Sequence, residues 1–144
     1  MNAELLGESM ESTFAILVQV GEDLPRPLGD NKLNDDIQVM NGTLQNMSDD
    51  SILNMKEATS ERNGIVLKLY SNLILILQYH NPSLKGAVSL RMVDLTMKSG
   101  LSPTSPVAFA CYGELLANIG EITEGCRLGM KLCISTFEGN LCMK

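Results

Sequence analysis

"SGLSPTSPVAFACYG", residues 99–113, is the stretch on which the reading of the fold turns. Gly100, Pro103 and Pro106 stand in a Ser/Thr-rich turn, and small and aromatic residues follow at once. A phosphate cradle would carry clustered glycines and a G-K-[ST] sequence, whereas this stretch has one glycine near each end. It reads instead as punctuation between two helices. Lys98 and Gly100 end the first, Thr104 or Ser105 caps the second, and Pro106 fits inside the second helix's first turn. Ala108, Ala110, Cys111 and Gly113 are small enough to let a neighbouring helix approach closely.

Downstream, the helix runs over 106–119 to Gly120. Thr123 is placed to cap a last helix, in which Ile122, Cys126, Met130, Cys133 and Phe137 repeat at helical spacing. Upstream, Asn81 and Pro82 open a helix over 82–98 whose core face is Leu84, Val88, Met92 and Leu95. Residues 60–80 are the most apolar segment. Ile65, Leu69, Leu73 and Ile76 form one stripe, widened by Val66, Tyr70 and Leu77. Lys68, Ser71, Asn72 and Gln78 interrupt it, which argues for a central packed helix and against a membrane span. Ser48 or Asp49 caps a short helix over 49–58. Asn34, Asp35 or Asp36 caps one running to Met47, with Ile37, Met40, Leu44 and Met47 on its apolar face. Residues 3–20 form the first helix, with Leu5, Phe14, Leu17 and Val20 inward and Ala15, Ile16 and Val18 filling in. "GEDLPRPLGDN" (21–31) stops it, with Gly21 suited to the left-handed C-terminal position. The expectation is a single all-α domain over 1–144, an irregular antiparallel helix-pair array of about six or seven helices.

Composition agrees with a globular chain. Of 144 residues, 44% are apolar and 19% charged; nine Met and no Trp imply an aliphatic, adaptable core. The formal net charge of −6 and the scatter of the eleven basic residues disfavour nucleic acid and anionic membrane surfaces as partners. Cys111, Cys126, Cys133 and Cys142 form no C-x-x-C pair, and His80 is the one histidine, so no metal or other cofactor is expected. The thiols read as buried and reduced, and His80 as a capping or packing residue at a helix end. Asp35-Asp36 and Asp49-Asp50 read as helix-start charges. "MNAELLGESMEST" carries acidic residues where a secretion signal needs positive charge, so a cytoplasmic location is expected. The sequons at Asn41 and Asn46 are then chance matches.

Residues 106–137 fit the template of a tetratricopeptide unit, two antiparallel helices with small residues where they cross. Phe109 takes the bulky position, Tyr112-Gly113 the large-small pair and Leu116 the next large position. Gly120 falls in the turn, Gly125 on the small crossing position and Leu132 near the end. Gly129 stands where an aromatic is usual, and no proline closes the unit. Over about 84–137 the chain also resembles the helical middle region of very large multidomain signalling proteins. These join a Ser/Thr-kinase-like domain, an AAA-type (STAND-like) ATPase, a helical region, a GAF sensor and often a histidine kinase. The residues that carry the resemblance are Val93, Leu95, Gly100, Pro103, Ser105, Ala108, Phe109, Ala110, Tyr112, Gly113, Gly120, Gly125 and Gly129. "VGEDLP" (20–25) is similar to the helix-end turn of an earlier repeat.

The resemblance implies a part of a larger signalling architecture whose kinase and ATPase activities lie in other domains. No Walker-type loop and no H-R-D or D-F-G set occurs in this sequence. The expected function is a non-catalytic scaffold or relay that contacts protein partners, adjacent domains or a second copy. A ligand-binding helical bundle and a thiol-based sensor are the alternatives.

Overall fold

A computed structural model describes residues 3–27 and 29–132, and within them the protein is an all-α helix array. The helices are α1 (Ala3–Gln19), α2 (Asp30–Gln45), α3 (Asp49–Leu53), α4 (Glu61–His80), α5 (Pro82–Ser99), α6 (Ser105–Asn118) and α7 (Ile122–Cys126). The wider coil of a π-helix, Arg127–Leu132, continues α7. The expected repeat unit 106–137 runs past the described residues, so Cys133, Phe137 and Cys142 lie outside them.

Local chemistry sets three of the helix starts. The hydroxyl of Ser48 accepts from the Ser51 amide, that of Ser60 from the Asn63 amide, and the Asn81 side chain from the Leu84 amide, with Pro82 following. Two helices end on the same device. After α1, the Gly21 amide donates to Val18 and the Glu22 amide to Leu17; after α6, the Gly120 amide donates to Ala117 and the Glu121 amide to Leu116. This is a Schellman turn, and its left-handed position is held by glycine in both cases, at φ 82° and 92°.

Three boundaries and one cap differ from the sequence expectation. Helix α2 begins at Asp30, ahead of Asn34, because Gly29 leaves the chain extended and Leu33 is drawn onto Gly86 of α5. Helix α3 stops at Leu53, well short of 58. Residues 56–58 instead lie extended against the opening stretch: the Leu101 amide donates to Lys56 and the Ala58 amide to Leu101. That contact needs Gly100, whose φ is 105° and where any Cβ would collide with the Lys56 carbonyl. At the start of α6, Thr104 makes no side-chain cap; Ser105 Oγ accepts from the Ser102 amide and Ser102 Oγ from the Thr104 amide. Thr123 does not cap α7, which begins one residue earlier, after Glu121.

Helices α4 and α5 pack together along their length and form the centre. Helix α1 lies on α4, α2 on α5, and α6 packs against α5 with α7 following on α6. The core face of α5 is as expected, with Leu84, Val88, Met92 and Leu95 buried. The core face of α4 is rotated from the expected stripe: Val66, Leu67, Tyr70, Leu73, Ile74 and Leu77 are buried, while Ile65 is exposed. A helix that is apolar nearly all round carries little information on which side its neighbours will take. On α1, Leu17 is buried and Phe14 and Val20 half-buried, but Ile16 and Val18 face solvent.

Candidate functional site

Three junctions hold the described array, and the outer face of α4 stands exposed. The first junction follows directly from the Gly21 turn, which drives Glu22 inward until its side chain has no solvent exposure. Four donors meet it there. Tyr70 Oη donates to Oε1 at 2.8 Å, Arg91 Nε to Oε1 at 2.7 Å, Arg91 Nη2 to Oε2 at 3.3 Å and Arg62 Nη2 to Oε2 at 3.1 Å. Arg62 Nε also donates to the Val20 carbonyl, at 2.8 Å. Burial alone would raise the Glu22 pKa. The hydrogen bonds from Arg91, Tyr70 and Arg62 and the charge of Arg91 outweigh it and hold the carboxyl below its usual range. Burial and the facing carboxylate push the Tyr70 phenol up, so it stays a donor. The cluster ties the end of α1 to both central helices.

Arg127 makes the second junction. Its Nη2 donates to the Leu44 carbonyl at 2.9 Å and its Nη1 to the Met47 carbonyl at 3.2 Å and to Asp49 at 2.7 Å; it also pairs with Glu124. A cation thus meets the carbonyl end of α2, which favours a positive charge, and the Asp49 carboxylate at the start of α3.

The third junction is the crossing of α6 with α7 and its π-helical continuation. A Cβ on Gly113 would lie 2.5 Å from Gly129 Cα and 2.7 Å from the Gly125 carbonyl oxygen; one on Gly125 would lie 2.7 Å from the Gly113 carbonyl oxygen. Backbone meets backbone here. The structure therefore brings Gly113, Gly125 and Gly129 together, with Phe109, Tyr112 and Leu116 buried alongside on α6. Tyr112 reaches across to donate to the Ile37 carbonyl of α2 at 3.0 Å. Gly120 is not at the crossing: it is exposed, open space surrounds its Cα, and its role is the positive φ of the turn.

The thiols divide differently from expectation. Cys111 is half-buried and Cys126 is exposed, because α7 turns its glycine side, not its cysteine, toward α6. His80 is exposed at the last position of α4. Among the described residues no group of three or more His, Cys, Asp or Glu is arranged to hold a metal ion, and no helix is long and apolar enough to cross a membrane. An open groove of about 560 Å³ between α2 and α5 sets apolar Met40, Leu90 and Met97 beside Asp36 and Asp94. Those carboxylates already pair with Lys32 and with Arg91 and Lys98.

The open face belongs to α4. Glu61, Ile65, Lys68, Asn72, Leu75 and Tyr79 are all exposed, at alternating steps of four and three residues along the helix. Leu75 is 69% exposed and Tyr79 81%, values more usual for a charged residue than for these side chains. The sequence reading set Ile65 on the inner stripe and missed Glu22. No family model, curated protein or solved structure matches the chain.

Proposed function

We propose that the protein is a non-catalytic helical contact module, a scaffold or relay within a signalling assembly of the kind its sequence resembles. Its outer α4 face receives a protein partner or an adjacent domain. One observation carries the reading: Ile65, Leu75 and Tyr79 stand in line on the solvent side of a helix whose other side is the centre of the core. Covering such side chains returns about 1.5–3 kcal/mol for each large apolar group, and aromatic anchors are frequent energetic centres of interfaces. The three junctions support the same reading, because they fix α1, α3 and α7 around α4 and α5 and so present the face on a rigid support.

Cross-linking with mass spectrometry, on the protein expressed in its own cells, tests this. Cross-links to partners or adjacent domains are expected to map to α4 and to fall away in Leu75→Glu, with the helical circular dichroism spectrum unchanged. Cross-links that persist in Leu75→Glu, or that map to the α2–α5 groove, would overturn the reading.

A further inference from the structure

We infer that the outer face of α4 is complementary to itself, and that its occupant is a second copy of this chain packed antiparallel across a two-fold axis. The inference rests on the contact-module reading and adds the identity of the partner. Steps of four and three residues over 61, 65, 68, 72, 75 and 79 are the spacing of the a and d positions of a coiled coil, and all six residues are exposed. In a two-fold antiparallel pair, the residues facing each other have numbers with a constant sum. Setting a positions against d positions fixes that sum to within a multiple of seven, and 140 is the value at which all six residues find a partner. Ile65 meets Leu75 of the second copy, apolar on apolar. Lys68 meets Asn72 of the second copy, where the ammonium donates to the amide oxygen. Glu61 meets Tyr79 of the second copy, where the phenol donates to the carboxylate. Two-fold symmetry makes each of these contacts twice.

The polar central layers fix the register at a cost in affinity, as a lone polar a-position residue does in coiled coils. Area points the same way. Twenty residues of helix are about 30 Å long, and a strip roughly 10–12 Å wide gives about 300–360 Å² per copy, against about 800 Å² in a stable complex. The dimer is therefore weak and reversible.

Sedimentation equilibrium on the full chain and three variants tests the register. The wild type is expected to pass from monomer to dimer with rising concentration. Ile65→Lys and Leu75→Glu are each expected to weaken association by about tenfold or more. The double variant I65K/L75E is expected to recover it, because the introduced ammonium of one copy would face the introduced carboxylate of the other; the two positions are too far apart along one helix to pair within a chain. Circular dichroism checks that each variant is folded. A wild type that stays monomeric to about 1 mM overturns the inference. So does a dimer indifferent to Leu75→Glu, or a double variant weaker than both single ones. If the chain is monomeric yet α4 cross-links to other proteins vanish in Leu75→Glu, the self-pairing fails and the contact-module reading stands.

Discussion

The ends of α1 and α6 are built alike and used differently. Each closes on a glycine at positive φ followed by a glutamate, Gly21-Glu22 and Gly120-Glu121, with the same pair of backbone hydrogen bonds. After the first turn the chain is pinned by charge: Glu22 is buried among Tyr70, Arg91 and Arg62. After the second it is pinned by the absence of side chains, since α7 returns along α6 over Gly113, Gly125 and Gly129. The turn sets only the direction of the chain. What the returning segment offers its neighbour decides whether the junction depends on ionisation or on shape.

Substitution separates the two. The largest effect is expected at the shape junction. Gly113→Ala sets a methyl group against the Gly129 backbone, which cannot rotate away, so we expect a loss of about 3 kcal/mol by denaturant unfolding, the upper range of overpacking. A loss under half of that would mean α7 can lift off α6 at little cost. Glu22→Gln should come next, at about 2 kcal/mol. Removing one partner of a buried pair costs more than this in general, but the side chains of Arg62 and Arg91 are 41% and 31% exposed and keep part of their hydration. Gly120→Asn should be the mildest, at about 1 kcal/mol or less, because open space surrounds the position and Asn tolerates positive φ. If Gly120→Asn costs as much as Gly113→Ala, the distinction between turn glycine and crossing glycine fails.

The two junctions also differ in how far they can be read from sequence. The crossing is legible because its signal is local: small residues at Gly113, Gly125 and Gly129 fall at helical spacing inside apolar helices. The caps at Ser48 and Asn81 and the core face of α5 are legible for the same reason. Glu22 carries no such signal. Its partners lie 40, 48 and 69 residues away, and beside Asp23 in a proline-containing connector it looks like any solvated charge. Arg127 is hidden likewise, since its carbonyl acceptors, Met47 just after α2 and Leu44 within it, are 80 and 83 residues distant. The open face of α4 is obscured by richness of signal: with leucine and isoleucine on nearly every side, periodicity fits several orientations, and only the positions of α1 and α5 select one.

The pH dependence of unfolding, followed from pH 7 to pH 3 in the wild type, Glu22→Gln and Gly113→Ala, tests most directly that one junction depends on charge and the other on shape. The folded-state pKa of Glu22 is depressed. The stability it contributes is therefore complete above the unfolded carboxyl value near 4.5 and is lost as pH falls through the lower folded value. The wild type and Glu22→Gln should differ fully at pH 7 and converge toward pH 3, while Gly113→Ala should stay displaced from the wild type by the same amount throughout. A gap between the wild type and Glu22→Gln that is as wide at pH 3 as at pH 7 would contradict the account.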